Sequence, residues 1–147
     1  MKRTHLAAVL LLPFAAVSLS GCFNGLEATT NVQSTMNSGN GVQVRQGDIR
    51  IENTTLVMDQ TGAAALLVRV FNEGPVTDAL TYATVNGQQV EIVTPEGNGA
   101  ELQPGGSVSF GWDSDNSIAT PELDVPISSY VPVELGFAEA GLASMSV

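Results

Sequence analysis

The sequence holds one cysteine (Cys22), one histidine (His5) and one lysine (Lys2). A single cysteine excludes an intrachain disulfide, and in an exported chain a leftover thiol needs an explanation. His5 and Lys2 both precede Cys22, in a stretch that reads as a removable leader. Past that point the chain owns no imidazole, no amine side chain and no free thiol. A Ser-His-Asp or Cys-His nucleophile, a Schiff-base lysine and a His/Cys zinc site are therefore excluded. No GxxxxGK[ST] loop is present, nor a G-x-G-x-x-G between a strand and a helix. Carboxylates alone remain for catalysis, and nothing marks two of them as an acid-base pair. The reading is a protein that is not an enzyme and carries no cofactor.

Charge is scarce and one-sided. Charged residues are 14% of the chain against 44% hydrophobic, which suits a domain with a core rather than a charged disordered chain. All fifteen carboxylates follow Cys22, where only Arg45, Arg50 and Arg69 oppose them, a net of −12. Such a surface repels phosphate backbones and anionic headgroups, so nucleic acid is excluded as a partner.

Long hydrophobic runs are also lacking. The longest apolar stretch, Leu6 to Val17, is about twelve residues, too short for a transmembrane helix. It follows Lys2-Arg3 and ends in Leu19-Ser20-Gly21-Cys22, the layout of a secretion signal. Leu19, Ser20 and Gly21 before Cys22 resemble the lipobox of bacterial lipoproteins. That resemblance implies cleavage before Cys22, a diacylglyceryl group on its thiol and acylation of the freed amine. Paired acyl chains give lasting anchorage where one would be marginal. Residues 1–21 are thus expected to be a signal peptide. The mature chain is expected to sit on the extracytoplasmic face of the cell membrane, its membrane contact being the lipid on Cys22.

Residues 22–41 are rich in Asn, Ser, Thr and Gly, without an apolar period, and read as a tether. As a coil it would span roughly 20–25 Å. From Val42 the pattern changes to short alternating segments. Leu66, Val68 and Val70 alternate with Leu67, Arg69 and Phe71; Val131, Val133, Leu135 and Phe137 form another period of two. Ile49, Ile51, Leu56 and Met58 make a third, interrupted by Asn53-Thr54-Thr55, and Val108, Phe110 and Trp112 a fourth. Asn86-Gly87, between Thr77–Val85 and Gln89–Val93, is the strongest hairpin signal. Leu123 to Val125 reads as an additional short strand ended by Pro126. Seven to eight strands without a helix predict an all-β domain over 42–147, an antiparallel Greek-key sandwich of the cupredoxin or immunoglobulin kind.

Three candidate ligand sets remain. Asp113, Asp115 and Asn116 could present oxygens to Ca²⁺, but an EF-hand loop needs Gly at position 6 and Glu at 12, where Ile118 and Asp124 stand. A polar turn is the expectation there. Met36, Met58 and Met145 are soft ligands, expected instead in the tether and the core. Trp112 reads as a core or rim aromatic.

Gly47-Asp48-Ile49-Arg50-Ile51-Glu52-Asn53 and Val70-Phe71-Asn72-Glu73-Gly74 resemble segments of PCu(A)C, the periplasmic copper-chaperone family. So do Leu102-Gln103-Pro104-Gly105-Gly106-Ser107-Val108, as an L-x-P-G-G-x-V hairpin, and Val131 to Gly141, as its V-P-V-x-L-x-F-x-x-A-G ending. The similarity covers about residues 42–147 and is strongest to an actinobacterial lipoprotein branch (LpqE-like). It implies a cupredoxin-like sandwich and, in typical members, Cu(I) held by two His and several Met. Those ligands would fall near Val90 to Ile92 and near Asp115 to Ile118. Neither stretch contains His or Met, so no copper ligand carries over. The resulting expectation is a lipid-anchored, non-catalytic binding or accessory module, with another envelope protein or a wall component as partner. The alternative is a metal-binding chaperone, for copper or weakly for calcium.

Overall fold

The computed structural model describes residues 41–147, apart from Asp113 and the side chain of Asn98. These fall in the second of the chain's two units, Asn37–Val147. The lipobox (Leu19, Ser20, Gly21, Cys22), Met36 and Asp113 lie outside the described residues. Within them the structure is all-β. The strands are β1 (Val42–Gln46), β2 (Ile49–Met58), β3 (Ala64–Asn72), β4 (Asp78–Val85), β5 (Gln88–Gln89) and β6 (Glu91–Thr94). They continue with β7 (Gly97–Asn98), β8 (Ala100–Leu102), β9 (Ser107–Phe110), β10 (Ser117–Thr120), β11 (Pro132–Phe137) and β12 (Gly141–Ser146).

Two antiparallel sheets form the sandwich. One runs β1-β2-β3-β10-β6-β7, with β9 also on β3; the other runs β12-β11-β4-β5, with β8 on β4. The neighbours β3–β10 and β4–β11 are far apart in sequence, as a Greek-key arrangement requires. Alternation explains the core. Leu66, Val68 and Val70 are buried from one sheet, and Val133, Leu135 and Phe137 from the other. Each fully buried Leu or Val contributes roughly 1.5–3 kcal/mol.

Twelve short segments replace the expected seven to eight strands because several runs split between the sheets. The Asn86-Gly87 turn forms as expected: Val85 pairs with Gln88, and both turn residues take positive φ (52° and 74°). These are the values a two-residue primed turn needs. The return strand, however, pairs in that sheet only at Gln88–Gln89, with one further bond from the Val90 N–H to the Ala83 carbonyl (3.0 Å); the chain then crosses over, and Glu91–Val93 pair with β10 instead. The Leu102 to Val108 segment is likewise an arch rather than a hairpin. Leu102 pairs with β4 in one sheet and Val108 with β3 in the other.

The Asn53-Thr54-Thr55 interruption is a β-bulge. Glu52 opposes Arg69 and Thr55 opposes Leu67, so β2 takes three steps where β3 takes two. Asn53 absorbs the extra residue at φ 57°. The strand expected at Leu123 to Val125 does not form. Pro121 and Pro126 flank it without N–H donors, and Leu123 makes one backbone bond, to the Gly62 carbonyl (2.8 Å), while its side chain enters the core. Two buried polar residues tie the ends of the sandwich. The Asp78 carboxylate accepts N–H bonds from Ala79 (2.7 Å), Glu139 (2.9 Å) and Ala140 (3.0 Å). The Asn72 amide serves the β3–β4 turn and β8.

Candidate functional site

The site grows out of one shared strand edge. Along a single edge of β3, Val68–Phe71 pair with β9, whereas Ala64 and Ala65 pair with β10. Between those two partners the chain must leave the sheet and return. Gly111 to Asn116 make that excursion, closed by the Gly111 N–H donating to the Asn116 carbonyl (3.1 Å). The Ser114 hydroxyl donates to the carbonyls of Gly111 and Asn116. This loop carries Trp112 out over the sheet, so the V-x-F-x-W alternation ends at Phe110. Phe110 is buried, while Trp112 stays 41% exposed on the rim.

Trp112 lines a groove of about 410 Å³ on the outer face of the sheet, together chiefly with Ala65, Glu91, Ser117, Ala119 and Thr120. Its floor follows from register: Ala65 pairs with Ala119, and Ala119 with Glu91, one row across three strands. Two methyls therefore leave open the space that larger outward side chains would fill. The Glu91 carboxylate stands at the end of the row with no hydrogen bond or ion pair among the described residues. The Ser117 hydroxyl and the Trp112 indole N–H likewise have no protein partner there.

This is the place where the PCu(A)C resemblance puts copper ligands. Residues 90–92 and 115–118 do come together, with Ile118 opposite Ile92. The residues present do not fit Cu(I), which takes thioether, imidazole or thiolate; the lining offers methyls, hydroxyls, an indole and one carboxylate. Met145 is buried in the core opposite Val133, and Met58 lines a different groove. Among the described residues no group of three or more His, Cys, Asp or Glu converges. Of the calcium candidates, Asp115 is exposed and Asn116 closes the loop through its carbonyl; Asp113 is not described.

The cations sit elsewhere on the same sheet face. Arg45 pairs with Arg50 across β1–β2, and Arg50 with Phe71 across β2–β3. Arg50 and Arg69 stand over the Phe71 ring, at 4.1 and 4.7 Å from its centroid. Glu73 accepts from Arg50 (2.5 Å) and Arg45 (2.6 Å), and Arg50 also contacts Glu52. Hydrogen bonds from Arg50 and then Arg45 hold the Glu73 carboxyl below the ordinary glutamate range. A second groove, about 500 Å³, is lined by Leu56, Met58, Val125, Ile127, Val131 and Val147. Sequence reasoning named Trp112, and the resemblance marked the stretches that hold Glu91 and Ser117, but nothing joined Glu91, Ser117, Ala65 and Ala119 into one site. They come from three strands, and no local pattern joins them.

No protein-family model matches the sequence, and no curated protein matches it closely enough to count as a relative. Solved structures do resemble it. The apo PCuAC domain from PmoF1 has 16% identity and a TM-score of 0.62, over 72% of this chain and 96% of that one. The copper-bound PCuAC domain from PmoF2 has 18% identity and a TM-score of 0.60, over 72% and 95%. The apo PmoF2 PCuAC domain has 17% identity and the same TM-score, over 72% and 92%. At such identities the likeness is one of fold: this chain carries an all-β sandwich of the PCuAC kind.

Proposed function

We propose that this protein is an extracytoplasmic lipoprotein, anchored through lipid on Cys22, whose PCuAC-like sandwich acts as a non-catalytic binding domain for another component of the envelope. One observation carries the reading. Where a copper chaperone of this fold would need His and Met, the groove holds Ala65, Ala119, Ser117, Glu91 and Trp112. Those side chains suit surface recognition and cannot hold a soft ion. The absence of imidazole, amine and thiol past Cys22 argues against catalysis. The Leu19-Ser20-Gly21-Cys22 signature supports the anchor and the lipoprotein branch of the family.

The fold favours a second reading, copper handling. The structures it resembles are PCuAC domains, one of them copper-bound, and that likeness speaks for metal binding more directly than for an accessory role. Titration of the full chain with Cu(I) under reducing conditions, against a competing chelator, separates the two. The first reading expects no stoichiometric binding. One Cu(I) held per chain against the chelator would replace it with the second.

A further inference from the structure

We propose that the Trp112 groove takes the cationic side chain, lysine or arginine, of an extended segment of a partner protein. This deepens the binding-domain reading and rests on it. Four features of the groove select that ligand. Trp112 lines the groove and is 41% exposed, and an indole is the best aromatic partner for a cation. The Glu91 carboxylate lines the same groove and lacks a counter-charge among the described residues. The Ala65 and Ala119 methyls form an apolar floor, which suits the aliphatic stem of Lys or Arg while its head stays polar. The free Ser117 hydroxyl can accept a hydrogen bond from the ammonium or guanidinium head.

Charge complementarity points the same way. Past Cys22 the chain carries fifteen carboxylates against three arginines. All three arginines gather around Phe71 and Glu73, so none is left to answer Glu91. The groove has no cationic side chain with which to hold an anion. A strongly negative surface also speeds encounter with a basic partner.

Trp112 is the only tryptophan in the sequence, so its fluorescence reports this groove alone. The test titrates the full chain, in nonionic detergent at low salt, with tetralysine blocked at both termini. Controls are its Nζ-acetylated counterpart and a neutral chito-oligosaccharide. Saturable change in Trp112 emission is expected with tetralysine alone, weakening as salt rises. Anisotropy of a labelled tetralysine then reads the variants. Glu91→Gln, an exposed substitution that leaves the core intact, is expected to weaken binding about five- to tenfold. Trp112→Leu is expected to weaken it about three- to fivefold. Glu139→Gln removes the same charge at the far turn and is expected to change it less than about twofold. Equal losses in Glu91→Gln and Glu139→Gln would reduce the effect to the general field and overturn the site. So would an equal response to the acetylated peptide, binding of the saccharide instead, or no saturable response. Any of these leaves the binding-domain reading standing, because that reading falls only on the Cu(I) titration.

Discussion

The side-chain amide of Asn72 donates to the carbonyl of Leu102 at 2.8 Å, joining the last residue of β3 in one sheet to the last residue of β8 in the other. The same nitrogen donates to the Val76 carbonyl (2.7 Å), and the side-chain oxygen accepts from the Gly74 N–H (2.9 Å). The Asn72 backbone meanwhile pairs with Gly105 and Gly106 of the arch. One residue thus satisfies the backbone of a turn, a strand end and a crossover, while itself only 2% exposed.

Asn72→Leu keeps the branched shape, somewhat enlarged, and removes all three side-chain bonds, taking that partner from the buried Leu102 carbonyl and Gly74 N–H and from the part-buried Val76 carbonyl. Unsatisfied buried groups cost more than the bonds themselves contributed, so a loss of roughly 2–4 kcal/mol is expected. Urea denaturation checks this: the midpoint should fall with the slope unchanged. A loss below about 1 kcal/mol would contradict the rivet.

Thr54 makes the opposite case. It is 1% exposed, and its hydroxyl has no hydrogen-bond partner among the described residues. Thr54→Val keeps the branched shape and discards an unpaired polar atom, so the protein should gain about 0.5–1.5 kcal/mol. Thermal unfolding of the variant should show a raised midpoint, and a lowered one would mean the hydroxyl finds a partner in solution.

Glu73 couples stability to acid. Its folded carboxyl is held below the ordinary glutamate range by Arg50 and Arg45, so the ion pairs add stability above the unfolded-state value. That stability is lost as pH falls through the depressed folded value. Because Glu73 is exposed, the effect should be small and should fade in high salt. Carbon-detected titration of Glu73 should show the depressed midpoint, returning toward normal in Arg50→Gln. A Glu73 midpoint unaltered by that substitution would refute the assignment.

The proposed lipid anchorage predicts the behaviour of Cys22→Ser. The variant should fail to incorporate labelled palmitate and leave the membrane fraction, while the native chain stays with it after a high-salt wash. Native protein recovered without acyl groups would remove the anchor.

Much of the fold was legible. Period-two runs at 66–71 and 131–137 became β3 and β11, because side chains on a pleated strand alternate faces and only one face of each sheet meets the core. Asn86-Gly87 became a tight turn because both residues tolerate positive φ. Partner choice was less visible. Residues 89–93 read as one return strand and proved to serve two sheets; residues 102–108 read as a hairpin and proved to be an arch. Local patterning reports which face is apolar, not which sheet an edge joins. The strand expected at 123–125 failed for a local reason, the two flanking prolines.

The residue inventory determined by itself what chemistry this chain lacks past Cys22, since no folding can supply an imidazole or thiol that was never encoded. Alternation likewise dictated an all-β domain. Only the tertiary structure decided that Trp112 leaves the core and that Ala65, Ala119 and Glu91 share one row in the groove it lines. That row exists because β3 gives half of one edge to β9 and half to β10, a long-range pairing set by how two sheets close over a common core.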